Sequence, residues 1–135
     1  MRQLSLILMV GFSLWANAKV REPYLKAKNL YAVPQSYLDA VLTNLNGVLQ
    51  SARAVPYRTK AGAFAGFEIE AIEAKSDLRK LGLLAGDILL QINDTVLDAP
   101  GKGLEAFQTI SLSKTVKLHL LRKKKRLVLS YEKVA

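Results

Sequence analysis

The chain has 135 residues, 20 lysines and arginines against 11 aspartates and glutamates, one histidine and no cysteine. Its length suits one small domain with additions, and a half-apolar composition with four prolines belongs to a packed protein and not to a disordered tail. The absence of cysteine excludes disulfides, thiolate metal sites, a cysteine nucleophile and a lipid-anchor cysteine together.

Residues 1–18, MRQLSLILMVGFSLWANA, combine a basic start, an apolar core from Leu4 to Trp15 and the small-x-small stretch Ala16-Asn17-Ala18. This pattern predicts a secretory signal peptide cleaved after Ala18. A membrane anchor is the competing reading, but a spanning helix needs about 20 apolar residues and this run is shorter. Cleavage would remove Arg2 and lower the formal charge from +9 to +8. Such an excess favours acidic proteins, anionic lipid or nucleic acid. The basic residues are scattered and carry no interleaved aromatics for base stacking, so nucleic acid is a poor partner.

Residues 19–35 lack periodicity and predict an extended, partly mobile linker. Over residues 36–53 an amphipathic helix is expected, opened by a capping-box-like Ser36 with Asp39. Its apolar stripe is Leu38, Val41, Leu42, Leu45, Leu49 and Ala52, and Pro56 bars continuation. The stripe reads as cover for the domain that follows, or as a docking face for another helix. From residue 54 strands are predicted: AVPYRTK, then, after a turn at Gly62, Phe67 to Ala71. A short helix from Leu78 to Leu81, opened by Ser76 and Asp77, stops at Gly82. Ile88 to Ile92 reads as a buried strand, and Asn93-Asp94 turns it into Thr95 to Leu97. A second helix is expected over Leu104 to Ile110. Strands Thr115 to Leu121 and Leu127 to Tyr131 follow, joined by the basic tip Arg122 to Arg126. The fold class is therefore α+β, with a half-closed, mostly antiparallel sheet capped by two helices and an additional N-terminal amphipathic helix.

No catalytic pattern emerges. His119, the single histidine, shares a strand face with Lys117, and no serine sits in a Gly-x-Ser-x-Gly elbow. Glu68 and Glu70 follow from strand alternation alone. One histidine with scattered carboxylates has no metal-ligand spacing, and no glycine-rich phosphate loop is present. The expectation is an interaction protein, not an enzyme, with no cofactor and no metal.

The residues Ala65-Gly66-Phe67-Glu68-Ile69, then Leu81-Gly82-Leu83, Gly86-Asp87-Ile88-Leu89 and Gln91-Ile92-Asn93, resemble a PDZ domain of the bacterial kind. Gln50 to Tyr57 and Leu104 to Gln108 further resemble the C-terminal PDZ region of protein C of the type II secretion system, the general secretion pathway protein C family. The resemblance runs from about Ser36 to the end, leaving out that family's usual membrane helix and homology-region domain. It implies a periplasmic module that binds a secretin, a secretion-platform protein or an exported substrate. It also implies a groove between a strand at Phe67 to Ala71 and the second helix, in which a peptide adds as an extra strand. Gly66, Phe67, Glu68, Ile69, Leu104 and Phe107 are then the binding residues, with the N–H groups of Gly66 and Phe67 facing a terminal carboxylate. Gly82, Gly86, Asp87 and Asn93 are motif residues that shape turns, Asp87 by accepting backbone N–H bonds. Two other expectations stand beside this one: a peptide-binding regulator of an envelope serine protease, and a basic binder that touches anionic membrane through Arg122 to Arg126.

Overall fold

Two strands open the part of the chain that the computed structural model describes, residues 21–135, where the sequence predicts a mobile linker. The expected signal peptide lies outside the described residues. Strand β1 (Tyr24–Ala27) turns at Asn29, whose φ is +59°, into β2 (Leu30–Pro34). Ala32, Val33 and Pro34 are buried because β2 pairs in parallel with the last strand, β8 (Lys125–Val134). That partner is about a hundred positions away in sequence, so no local pattern announces the strand.

The predicted helix 36–53 forms as two shorter ones, α1 (Gln35–Thr43) and α2 (Leu45–Gln50), broken at Asn44. The Ser36 cap does not form; Pro34 precedes the helix without a side-chain cap bond, and Ser36 lies in the first turn. The Asn44 side chain folds over Gly47, occupying the space a Cβ there would need, at 2.7 Å. Strand β3 (Ala52–Arg58) then starts directly from α2 and pairs antiparallel along β4 (Phe64–Ile72).

Helix α3 (Asp77–Lys80) is N-capped by Ser76, whose Oγ accepts from the Leu78 N–H at 3.1 Å. This matches the sequence expectation. Strand β5 (Ile88–Ile92) turns at Asn93-Asp94 into β6 (Thr95–Val96). Only Asn93 takes a positive φ there, so Asp94 needs no glycine-like freedom. The Asn93 side chain also accepts from the Lys117 N–H at 2.8 Å, tying the turn to β7 (Thr115–Arg122). Between them lies α4 (Lys102–Leu112).

The sheet order is β1-β2-β8-β7-β5-β4-β3, with β6 on β5, and every pairing except β2 with β8 is antiparallel. Leu97, Ala106, Leu118, Leu120 and Leu129 form its dry centre. Tyr131 packs parallel to Tyr31 at 5.6 Å and donates to the Leu81 carbonyl at 2.5 Å; burial pushes its phenol well above the ordinary tyrosine range.

Asp87 is 1% exposed and fully bonded. Its carboxylate accepts from the Leu84 N–H at 2.9 Å and from Arg122 Nε and Nη2 at 2.9 and 2.7 Å. Arg122 Nη2 also donates to the Gly82 carbonyl at 2.8 Å. The bond to Asp87 raises the guanidinium's already high pKa. The α3–β5 loop and the β7–β8 hairpin are thus closed on one buried ion pair. Its turn, Lys123-Lys124, holds two lysines at φ +53° and +66°, a two-residue geometry that favours Asn-Gly.

Gly66 lies where β4 crosses β5. A Cβ there would stand 2.1 Å from the Leu89 carbonyl oxygen, and its φ is +148°. Only glycine allows that approach.

Three outcomes are expected in urea denaturation of the purified chain. Asp87→Ala, which strands a half-buried guanidinium, lowers stability by about 3 kcal/mol. Gly66→Ala costs about 3 kcal/mol because backbone, not a side chain, stands in the way. Replacing Lys123-Lys124 by Asn-Gly relieves two left-handed lysines and raises stability by about 1 kcal/mol.

Candidate functional site

An apolar trench of about 540 Å³ opens on the face of the sheet that carries α1, α2 and α4. Phe67 and Ile69 of β4, with Leu89 of β5, line its floor. Tyr37, Leu38, Val41 and Val48 of α1 and α2 make one wall, and Gly103, Leu104, Phe107 and Ile110 of α4 make the other. Helix α4 packs mainly on β6, while α1 and α2 pack on β2 and β3. The helices therefore flank the apolar sheet face and leave a gap between them. Leu104 is 66% exposed and Leu49 44%, both on the lining, so the trench opens to solvent.

The walls are held by polar bonds outside the trench. The Tyr37 hydroxyl donates to Asp77, which joins α1 to α3. Burial, and then that bond, pushes the Tyr37 phenol above its ordinary range and keeps it a neutral donor. Lys133 is the one charged residue on the lining; its Nζ donates to the carbonyls of Ile110 and Ser111 at 2.7 and 3.1 Å. A cation at a helix C-terminus satisfies carbonyls that have no partner within the helix.

Among the described residues strand β3 is one end of the sheet, and its outer edge runs beside the trench, where Ala52 and Ala54 belong to the lining. Backbone direction along this edge follows from β4. The Ile69 N–H donates to the Asp87 carbonyl at 2.8 Å and its carbonyl accepts from the Gly86 N–H at 2.6 Å, so Ile69 faces β5. Alternation then turns the polar groups of Ala54, opposite Ile69, and Pro56, opposite Phe67, outward. The open edge presents the Ala54 N–H and carbonyl and the Pro56 carbonyl. Proline supplies no N–H, as suits an edge strand.

Of the residues that sequence reasoning placed in a groove, Phe67, Ile69, Leu104 and Phe107 come together on the trench. The other two do not join them. Glu68 pairs with Val55 on the opposite face, and Gly66 is buried against the Leu89 carbonyl, which leaves no room for a carboxylate. Strand addition at Phe67 to Ile69 has no free edge: β3 runs along one side of β4, and β5 with the loop before it takes the other from Phe67 to Ile69. Among the described residues the edge strand beside the trench is β3; β1 ends the sheet on the far side. Gly82, Gly86 and Asn93 take the positive φ values of turn residues, and Asp87 accepts the backbone N–H expected of it.

Sequence reasoning did not single out Ala54, Tyr37, Val48 or Lys133 for the site. The stripe on residues 36–53 was the available signal for the α1–α2 wall. Nothing local marks Lys133, whose partners come from α4.

Among the described residues no group of acids and histidine is arranged to hold a metal ion. No helix there is long and apolar enough to cross a membrane.

No family profile matches the chain, and no curated protein matches its sequence. Solved structures do. The PDZ domain of EpsC from Vibrio cholerae, residues 204–305, aligns with a TM-score of 0.51 at 18% identity over 70% of this chain and 89% of that one. The PDZ domain of pullulanase C protein of the type II secretion system from Klebsiella pneumoniae, solved in complex with fatty acid, gives 0.48 at 18% identity, over 70% and 98%. The HtrA3 PDZ domain bound to a phage-derived ligand gives 0.46 at 20% identity, over 61% and 80%. With an open, mostly antiparallel sheet and four helices among the described residues, α1 to α4, the chain has the fold of a PDZ domain, without the half-closure of the sheet expected from sequence.

Proposed function

We propose that this chain is a periplasmic PDZ-like interaction module, related to protein C of the type II secretion system, that binds an extended segment of a protein partner by strand addition. The observation that carries the reading is the conjunction of an open edge on β3 with an apolar trench beside it. Main-chain bonds to Ala54 and Pro56 would set the register of the segment, and alternate side chains would enter the trench between Phe67, Leu104 and Phe107. Secretin, platform protein or exported substrate are the partner types the motif resemblance supports. The signal-peptide pattern of residues 1–18 supports the location.

Catalysis has no part in this reading. His119 lies between Leu118 and Leu120 on β7, and its register partners are Gln91 and Val128, neither of them an acid. A general base without an orienting carboxylate and a neighbouring nucleophile lacks the geometry of hydrolysis.

Two substitutions test the site without touching the core. Leu104→Glu places a charge on an exposed wall position, and Ala54→Pro deletes an outward N–H that the sheet itself does not use. In affinity capture from a periplasmic extract, the unaltered chain should recover a secretin, a platform component or an exported protein. Both variants should lower that recovery by about tenfold or more, the equivalent of one lost apolar anchor. Their melting temperatures should stay near that of the unaltered chain. Equal recovery by all three proteins would overturn the trench as the binding site.

A further inference from the structure

We infer that the trench takes the middle of a partner's chain, an apolar extended stretch with acidic flanks, and not a chain's C-terminal end. The inference rests on the proposed reading of the trench as a peptide groove and concerns what that groove selects.

A segment laid along β3 has its ends near the two ends of that strand, whichever way it runs. A terminal carboxylate needs donors there, because an unpaired buried carboxylate costs several kcal/mol. At the start of β3 two main-chain donors and one hydroxyl are spent. Helix α2 runs straight into the strand, the Val48 N–H donates to the Asn44 carbonyl at 3.1 Å and the Ser51 N–H to the Val48 carbonyl at 3.1 Å. The Ser51 hydroxyl donates to that same carbonyl and lies 2.5 Å from the Ser76 hydroxyl.

The hairpin at the far end of β3 bonds largely within itself. The Thr59 N–H donates to the Ala63 carbonyl, the Gly62 N–H to the Thr59 carbonyl, both at 2.9 Å, and the Ala63 N–H to the Thr59 hydroxyl at 3.2 Å. Arg58 Nη1 donates to the Gly62 carbonyl at 3.0 Å, and its guanidinium lies 5.8 Å from the centre of the Phe64 ring. Lys133, the charged residue on the lining, is held by the last carbonyls of α4. These bonds take up the Val48, Ser51, Thr59, Gly62 and Ala63 N–H groups around the two ends of β3. The Gly66 and Phe67 amides lie within the sheet, in register with Tyr57 of β3 and Leu89 of β5.

A chain that continues past both ends carries no buried charge to satisfy. Its flanks meet the exposed Arg53, Arg58 and Lys60 of β3 and its hairpin, on a protein of formal charge +9. The Arg53 side chain is 73% exposed, with its carboxylate partner Glu70 at 3.7 Å. Such cations favour acidic flanks through their summed field, in a salt-dependent way.

Fluorescence anisotropy with labelled synthetic peptides tests this. The probe is an alternating leucine–valine hexapeptide preceded by two acidic residues. It is made in three forms: ending in a free carboxylate on its last apolar residue, amidated there, and continued by three further acidic residues. The continued form should bind tightest, and amidation should leave affinity within about twofold of the free acid. Exchanging the acidic residues for lysines should weaken binding by about tenfold at low salt, and Ala54→Pro should abolish it. A free-acid form that binds about tenfold tighter than the other two would overturn the inference and leave the groove itself standing. Equal affinity for acidic and lysine flanks would overturn the charge preference. If no peptide binds, and laurate saturates the trench instead, both the inference and the proposed function fail.

Discussion

The Asp87 carboxylate is the joint on which the site's frame depends. It is buried, and three donors from two separate parts of the chain converge on it: the Leu84 N–H in the α3–β5 loop and two nitrogens of Arg122 at the end of β7. A lone buried carboxylate is costly, but one that accepts three bonds, two of them in a guanidinium fork, is held firmly. The consequence reaches β4. The loop that Asp87 fixes also delivers the Asp87 carbonyl and the Gly86 N–H to Ile69. These two bonds set which way every polar group of β4 points. By alternation they decide which groups of β3 reach the open edge.

The second constraint is a shortage of helix. The apolar sheet face is broad, and α1, α2 and α4 cover its margins, burying Ile69 and leaving Phe67 only partly covered. A small domain has little surplus chain with which to close such a gap. The deeper lining, Ile69, Leu97 and Leu118 among it, is core, while Leu49 and Leu104 at the rim are left open beside a strand edge that lacks a neighbour among the described residues. Exposed apolar surface and an exposed strand edge are each liabilities in an isolated protein. Their adjacency is what supports the proposed reading of the trench, since one extended segment would satisfy both.

The turn positions of LGLLAGDILLQIND were legible in the sequence because their demands are local. Gly82 and Gly86 adopt positive φ, Asn93 takes the left-handed region that asparagine tolerates, and Ser76 caps α3 as its side chain suggests. The groove strand was not legible. Both AVPYRTK and the stretch from Phe67 to Ala71 read as strands, and nothing in their periodicity says which one lies at the margin of the sheet. Gly66 illustrates the difference. Its need for a bare backbone was evident, but the object approaching it is the Leu89 carbonyl of a neighbouring strand and not a ligand.

Sequence alone therefore determined the α+β class, the order of elements from Phe64 onward and the apolar character of Phe67, Ile69, Leu104 and Phe107. Those follow from short-range steric and hydrophobic periodicities; grouping the four at a groove came from the PDZ resemblance. Tertiary structure decided the rest: that residues 24–34 form strands, that the predicted helix 36–53 breaks at Asn44 into a wall, that Arg122 is the partner of Asp87, and that β3 carries the edge beside the trench. Each of these depends on a partner distant in the chain or on the packing of neighbouring elements. Hydrogen-bond pairing between strands is nearly blind to side-chain identity, so only the assembled sheet assigns its edges.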